Sequence, residues 1–128
     1  KKSKAINITD LGMINDTYKK MKGKPVVVAI NMNNPMIFSE FEKNVNGIFV
    51  HFGVQDQALM DILTGSAEPS ALLPMQMPAT METVEKQFED VPHDLTVYVD
   101  SEGNGYDFAY GLNWKGVIND ERKSKYKK

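Results

Sequence analysis

The chain has 128 residues, the length of one ordinary domain, which excludes a complete enzyme built on a large catalytic barrel. Hydrophobic residues make up 41% and charged residues 25%, so the composition excludes a disordered, collagen-like or coiled-coil chain and favours a packed globular domain. Cysteine is absent, which excludes disulfide bonds, thiolate metal ligands and a cysteine nucleophile. The longest apolar runs fall far short of the roughly 18 residues that a membrane-spanning helix needs.

The formal net charge of −2 hides an uneven distribution of charge. All 17 acidic residues lie between Asp10 and Glu121, whereas eight of the 15 basic residues lie outside that range. Seven basic residues remain inside it, so the body carries a net charge of −10 and has basic ends. Because nucleic-acid binding needs a cluster of basic residues on the folded part, no nucleic-acid partner is expected. The chain starts with neither Met nor a hydrophobic leader, which makes us expect a fragment.

The first half alternates helices and strands. Apolar residues at three- and four-residue spacing predict a helix over residues 11–21, capped by Thr9 or Asp10 and ended by Gly23. The β-branched run 26–30 predicts a strand covered on both faces, and residues 47–52 predict a second strand parallel to it. A short helix capped by Ser39 should lie between them, and a helix from Val54 that ends at Gly65 should follow.

The second half is rich in proline, since four of the six prolines lie between residues 69 and 92. We expect a mostly extended chain there, with a short helix that starts at Thr80 and runs through Val84 and Phe88. Short strands are predicted at residues 95–99 and 106–110, joined by a turn over residues 100–105. The whole pattern is typical of an α/β layered domain with parallel strands.

Three glutamates are the first candidates for chemistry. Glu82, Glu85 and Glu89 are spaced by three and four residues, so on a helix they would share one face. Glycosidic hydrolysis needs two carboxyl groups, one acting as acid and the other as nucleophile or base. A solvated acidic helix face explains the same spacing, and the spacing alone does not separate the two interpretations.

The other reactive side chains give little signal. His51 lies within a predicted apolar strand and is interpreted as a partly buried residue with satisfied hydrogen bonds rather than as a base, and His93 is far from it in sequence. No His and carboxylate spacing suggests a metal site, no serine lies in a nucleophile elbow, and no cofactor is predicted. Aromatic residues near the end either stack on a sugar ring or close the core: Tyr106, Phe108, Tyr110 and Trp114.

Five segments, in order along the chain, resemble motifs in the second domain of glycoside hydrolase family 3. They are residues 24–35 (K-P-V-V-x-V-x-x-x-G-x-P in the family), 45–53 (V-D-A-I-L-x-A-W-x-P-G), 58–65 (A-I-A-D-V-L-F-G), 68–78 (N-P-S-G-K-L-P-V-T-F-P) and 106–114 (Y-x-F-G-Y-G-L-S-Y). The sequence departs from these motifs at Phe52, where the family often has proline, and at Ala71 and Leu72, which replace glycine and a cation. Substrate contacts of the family are therefore not transferred as a set.

This resemblance implies a fragment of a three-layer α/β sandwich, with a mainly parallel sheet, helices on both faces and an extended Pro-rich second half. Residues 11–119 would form the C-terminal portion of the sandwich domain, between a loose N-terminal tail (1–10) and a basic C-terminal tail (120–128). The implied enzyme is a retaining, exo-acting β-glycosidase that hydrolyses terminal β-glucosides or β-xylosides and lies in the periplasm or outside the cell. Its aspartate nucleophile belongs to a barrel domain that this chain lacks, so the chain alone should be inactive.

The resemblance also implies where an acid could lie and what the chain would contact. In one subgroup the general acid follows the L-P-V-T-F-P stretch, which makes Glu85 and Glu89 the candidates, whereas in other subgroups it precedes this fragment. The expected partners are the barrel domain and, in the whole enzyme, a carbohydrate substrate. A fragment should also expose an apolar patch or a sheet edge through which it could form a homodimer. The alternative hypothesis is a noncatalytic α/β module that binds another protein.

Overall fold

The computed structural model describes residues 8–88, 90–91 and 93–126. It begins with helix α1 (Ile8–Met21), which confirms the predicted helix but starts before the predicted caps, so that Asp10 lies in its first turn. The helix ends where Lys22 and Gly23 adopt positive φ angles of 49° and 85°. The loose tail predicted for the N-terminus falls mostly on residues 1–7, which lie outside the described residues.

Strands β1 (Val27–Asn31) and β2 (Gly47–His51) form a two-stranded parallel sheet, as predicted. The register pairs Val27 with Gly47 and continues to Asn31 with His51. Asn46 helps to fix this register, because its side-chain Oδ1 accepts a hydrogen bond from the Val26 N–H (2.9 Å) and its own N–H donates to the Val26 carbonyl (2.7 Å). These two hydrogen bonds hold the starts of β1 and β2 side by side.

The two faces of this sheet differ, and the expectation that β1 is covered on both faces is wrong. Ile30, Ile48 and Val50 pack against the buried core on one face. On the other face Val27 is 45% exposed, and Ala29 is exposed as well. The described residues place no third strand beside β1 or β2, so both edges of the sheet are open.

The connection between the strands is compact but holds no capped α-helix. Instead of the short helix predicted at Ser39, a 3-10 turn (Glu42–Asn44) follows two buried aromatic residues, Phe38 and Phe41. After β2, helix α2 (Asp56–Leu63) forms as predicted, although two residues later than Val54. The Gly65 N–H donates to the Ile62 carbonyl (3.1 Å), and the φ of 79° at this residue suits the predicted glycine cap.

The second half contains little regular structure. Helix α3 (Met81–Lys86) starts after Thr80 as predicted, but it ends before Phe88. The strands predicted at 95–99 and 106–110 are not formed; only isolated bridges join Pro78 to Val97 and Val99 to Gly105. Pro78, which faces Val97, has no backbone N–H to donate to a β-ladder. Ala109 adopts a positive φ of 62°, which a continuous strand does not allow.

Long-range hydrogen bonds take the place of a ladder in this half. The Tyr98 N–H donates to the Met77 carbonyl (2.8 Å), the Met77 N–H to the Tyr106 carbonyl (2.9 Å) and the Tyr106 N–H to the Tyr98 carbonyl (2.8 Å). The turn predicted at 100–105 is present, with Asp100 Oδ1 accepting from the Asn104 N–H at 2.8 Å. These bonds hold three extended segments together without regular strands.

The chain then forms an antiparallel hairpin that the sequence pattern did not predict, made of β3 (Leu112–Asn113) and β4 (Gly116–Val117). A 3-10 helix (Glu121–Tyr126) follows it. Arg122 in this helix bonds to the Ser70 carbonyl (2.7 Å) and pairs with Asp120 (2.6 Å). The C-terminal segment is thereby attached to the Pro-rich stretch.

Both halves contribute to one core. Its buried cluster consists of Met32, Phe38, Phe41, Met77 and Tyr98. The architecture is a small mixed α/β fold with a short parallel sheet and flanking helices. None of its described helices is both long and apolar enough to cross a bilayer.

Candidate functional site

Glu85, the first predicted acid, lies on α3 and is exposed to solvent. No hydrogen bond or ion pair joins its carboxylate to another described residue. Its neighbour Glu82 is different, because it pairs with Lys86 at 2.6 Å across one helical turn. Glu89, the other predicted acid, lies outside the described residues. Because α3 ends at Lys86, the helix face that was predicted to hold three glutamates does not form.

Two clefts flank this helix. The smaller one encloses about 290 Å³ and is lined by Glu82, Thr83, Lys86, Asp94 and Thr96. Its walls carry the Glu82–Lys86 pair, so the negative charge of Glu82 is largely compensated. Glu85 lines neither cleft.

The larger cleft encloses about 400 Å³ between α3, the loop after β1 and the Pro-rich segment. Its described lining residues are mostly apolar: Asn34, Pro35, Met75, Gln76, Pro78, Val84, Gln87, Val91, His93, Leu95 and Phe108. The imidazole of His93 meets the ring of Phe108 edge-on, with ring centres 5.2 Å apart. His93 therefore contributes to an aromatic wall of this cleft.

A buried polar pair lies behind this cleft. Gln76 is only 9% exposed, and its side-chain Nε2 donates to Asp107 Oδ1 at 2.8 Å. The same oxygen accepts the backbone N–H of Phe108 at 2.7 Å. Sequence reasoning missed this pair because the two residues are 31 positions apart and neither belongs to a periodic pattern.

A cluster of tyrosines connects the 3-10 turn to the second half. Tyr98 and Tyr106 meet edge-on, Tyr106 stacks on Tyr110 with ring centres 5.0 Å apart, and the Tyr98 hydroxyl donates to Glu42 Oε2 (3.0 Å). Burial, then the hydrogen bond to Glu42, raises the pKa of Tyr98 to about 12. Burial also raises the pKa of Tyr110 to about 12 and raises the pKa of Tyr106 further. These phenols are neutral structural groups rather than acids or bases at neutral pH.

The aromatic residues near the end of the chain therefore lie in two different environments. Tyr106 packs against the core and forms an edge contact with Phe38, which fits the interpretation of core closure. Trp114 is 62% exposed at the end of the hairpin and does not close the core.

His51 was predicted to be partly buried with satisfied hydrogen bonds, and only the first part of this prediction is confirmed. It is half-buried on β2, but its Nδ1 atom is buried without a hydrogen-bond partner in the described part of the chain. His51 is the last residue of β2 and pairs in register with Asn31 of β1. Across the described ranges, no group of three or more His, Asp or Glu side chains is arranged to hold a metal ion.

Comparison with known proteins identifies the family of this chain, which the geometry of the fold alone does not. The family described as "Glycosyl hydrolase family 3 C-terminal domain" matches residues 10–114, which include α2, both parallel strands and the walls of the larger cleft. A probable beta-glucosidase C from Aspergillus flavus is 34% identical over 100 residues, which cover 74% of this chain and 16% of that protein.

Two further relatives agree with this match. Beta-glucosidase C from Emericella nidulans is 27% identical over 106 residues, covering 83% of this chain and 17% of the relative. A periplasmic beta-glucosidase/beta-xylosidase from Dickeya chrysanthemi is 31% identical over 88 residues, covering 69% of this chain and 12% of the relative. The chain thus spans about a sixth or less of the curated relatives it matches. No solved structure matches the chain.

Proposed function

The chain belongs to the glycosyl hydrolase family 3 C-terminal domain family, and from this premise we propose that it works as part of a retaining, exo-acting β-glycosidase. The proposed substrates are terminal β-glucosides or β-xylosides, the substrate classes in the names of the relatives. The observation that carries the proposal is the unbroken family match over residues 10–114, most of the folded chain.

The open sheet supports the idea that more of the domain packs here. Parallel sheets are normally covered on both faces, and a sheet of two parallel strands is small for an independent fold. In this chain Val27 and Ala29 leave one face exposed, and both strand edges lack partners among the described residues. We place the remaining strands and a second helical layer of a three-layer sandwich on these surfaces.

In this proposal the domain works beside a barrel domain that carries the aspartate nucleophile. Residues 11–119 form the C-terminal portion of the sandwich domain, between the terminal segments 1–10 and 120–128. The 128-residue chain by itself does not hydrolyse glycosides, since it supplies at most one of the two carboxyl groups that a retaining mechanism requires.

Glu85 and Glu89 are the proposed sources of the general acid. An acid that donates a proton near neutral pH needs a raised pKa, and burial in an apolar or partly closed site is the usual cause. Glu85 is exposed in this chain and makes no hydrogen bond to another described residue, so it is available for a barrel domain to cover. We therefore propose that Glu85 or Glu89 acts as the general acid only in the assembled enzyme.

Reconstitution tests the proposal. The 128-residue chain is assayed on an aryl β-glucoside and an aryl β-xyloside, alone and after mixing with the remaining part of the enzyme. We expect turnover only in the mixture. An inert chain that neither binds that part nor restores turnover would favour the alternative of a noncatalytic protein-interaction module.

Variants of the assembled enzyme test the acid. We expect Glu85→Gln or Glu89→Gln to lower kcat by about 10²-fold or more on substrates with poor leaving groups and far less on nitrophenyl glycosides. Glu82→Gln on the same helix is the matched control, because Glu82 is paired with Lys86. Equal activity of both variants and the control would remove these residues from the mechanism while leaving the family assignment intact.

One relative carries the word periplasmic in its name, and we propose a periplasmic or extracellular location for this protein too. Fractionation of the natural host, followed by detection with an antibody against the chain, tests this. Recovery only from the cytoplasm would contradict it.

A further inference from the structure

The hairpin of β3 and β4 carries an exposed tryptophan on a well-defined turn. Its register pairs Asn113 with Gly116, so Trp114 and Lys115 form the two residues of the turn. Asn113 Oδ1 accepts the Lys115 N–H at 2.9 Å, and Gly116 adopts a φ of 112°, which glycine allows. The turn is therefore held by a side-chain hydrogen bond in addition to the pairing of the hairpin.

The indole of Trp114 offers an apolar surface to the outside of the protein. Trp114 is 62% exposed, although tryptophan is highly buried on average in folded proteins. Aromatic side chains bury a large area when a partner covers them, and an indole also carries one N–H donor. An exposed indole on a hydrogen-bonded turn can therefore bind a flat ligand without ordering a mobile loop first.

Two side chains of opposite charge accompany this indole. Glu68 Oε1 accepts the backbone N–H of Trp114 at 3.3 Å, although the two residues are 46 positions apart. A carboxylate has about four acceptor positions on its two oxygens, so one such bond does not saturate it. Lys115, the next residue of the turn, is exposed and supplies an ammonium group with donors. The surroundings of Trp114 thus combine an acceptor, a donor and balanced charge.

This combination fits a neutral sugar ring better than other ligands. A pyranose with equatorial hydroxyls has a flat face of C–H bonds, which suits the indole, and a rim of hydroxyls, which both donate and accept. An organic cation would be attracted by the indole and Glu68 but repelled by Lys115, and an anion would be repelled by Glu68. A purely apolar ligand would use neither charged group.

We propose that Trp114, Glu68 and Lys115 form a surface that binds a neutral pyranose ring of the glucose or xylose type within an oligosaccharide. The ring stacks on the indole, and its hydroxyls bond to the carboxylate and the ammonium group. This binding surface goes beyond the proposed glycosidase function and does not rest on it, because it uses neither Glu85 nor Glu89.

The single tryptophan of the chain makes the test direct, since all tryptophan fluorescence comes from position 114. The 128-residue chain is titrated with cellotetraose, xylotetraose, sorbitol and tetramethylammonium chloride. Sorbitol has hydroxyls but no ring, and tetramethylammonium is a cation without hydroxyls. We expect a saturable change in emission with at least one tetrasaccharide, with a dissociation constant on the order of a few millimolar, and binding of the other two probes to be at least about tenfold weaker.

Matched variants locate the surface, with binding followed by amide chemical-shift changes. Trp114→Leu removes the flat ring and should weaken tetrasaccharide binding about tenfold or more, whereas Phe88→Leu removes another ring that is 71% exposed and should not. Glu68→Gln keeps an acceptor for the Trp114 N–H but removes the charge, and should weaken binding about fivefold. Glu40→Gln removes an exposed carboxylate elsewhere and should have no effect. Thermal unfolding checks that each variant keeps the fold.

The opposite results overturn the proposal. No saturable change with either tetrasaccharide up to about 20 mM would contradict the surface itself. Equal binding of sorbitol would contradict stacking, and tighter binding of the cation would contradict the neutral class. Emission that depends on protein concentration would assign the exposed Leu112 and Val117 of the hairpin, with Trp114, to contact with a second copy instead.

Failure here and failure of the proposed glycosidase function remain distinguishable. Sugar binding is measured on the 128-residue chain alone, whereas turnover of aryl glycosides is measured after reconstitution. A chain that binds no sugar but restores turnover would overturn only this proposal. A chain that binds sugar through Trp114 but restores no turnover would overturn only the glycosidase function.

Discussion

The two halves of the molecule are built differently. Residues 8–63 hold α1, the two parallel strands and α2, whereas the described part of residues 64–126 holds a six-residue α-helix, a six-residue 3-10 helix, a hairpin of two-residue strands and isolated bridges. Yet the regular half leaves one face and both edges of its sheet open, and the irregular half provides Met77 and Tyr98 to cover the other face. Regular secondary structure and a closed core are therefore separate properties in this chain.

The largest expected effect comes from the side chain that joins the two halves. Phe38 is 2% exposed and contacts the rings of Phe41 and Tyr106, with centres 5.6 and 5.5 Å away. We expect Phe38→Ala to lower the free energy of unfolding by about 4 kcal/mol, because it leaves a cavity where the halves meet. Chemical denaturation measures this, and Phe88→Ala, at a position 71% exposed, should change stability by less than about 0.5 kcal/mol. Similar losses in both variants would contradict this location of the core.

Backbone packing in the irregular half should be nearly as sensitive. A Cβ atom at Gly111 would collide with the carbonyl oxygen of Ala71, whereas one at Gly12 on α1 meets nothing within 4 Å. We expect Gly111→Ala to cost about 3 kcal/mol, since backbone atoms must move, and Gly12→Ala to add about 0.5 to 1 kcal/mol of helix stability. Thermal unfolding compares the pair, and a Gly111→Ala variant as stable as the unmodified chain would show that residues 71 and 111 do not pack closely.

The tyrosine cluster should make the contact between the halves sensitive to alkali. The raised pKa values of Tyr98 and Tyr110, about 12 against an ordinary 10.0, mean that the folded state holds these protons more tightly than the unfolded state. Stability from this source is complete below about pH 10 and is lost as the pH rises through about 12. Tyr98→Phe removes the bond to Glu42, should cost about 1.5 kcal/mol at pH 7, and should flatten the alkaline loss measured by denaturation. An unchanged alkaline profile in this variant would separate Tyr98 from the effect.

The smallest expected effect concerns α3. The Thr80 hydroxyl accepts the N–H of Thr83 at 3.3 Å and caps the helix. Thr80→Ala should cost about 1 kcal/mol, and Thr80→Ser, which keeps the hydroxyl, should restore most of it. Hydrogen exchange of the α3 amides measures this locally, and equal exchange in the two variants would mean that the cap contributes nothing.

The same contrast explains what the sequence could predict. The helix over Leu11–Met21, both strands and the 100–105 turn were predictable, because three-residue spacing, β-branched runs and turn residues act locally. The open face of β1 was not, since the apolar run 26–30 carries no information about which neighbour covers it. The Gln76–Asp107 pair was not predictable either, because its members are 31 positions apart, and neither was the buried His51 Nδ1, which has no hydrogen-bond partner among the described residues. The resemblance to glycosidase motifs came from residue identity at five places, and the comparisons confirmed it.

Hydrogen exchange at the open sheet tests the central claim most directly. The Met32 N–H donates to the His51 carbonyl, so the alternation of a parallel ladder turns the Ala29 and Val50 amides toward the two open edges. If the rest of a β-glycosidase domain completes this sheet, these two amides exchange rapidly in the 128-residue chain and slowly in the longer enzyme, while Met32 is protected in both. Protection of Ala29 and Val50 in the chain alone, or rapid exchange in the longer enzyme, would contradict it.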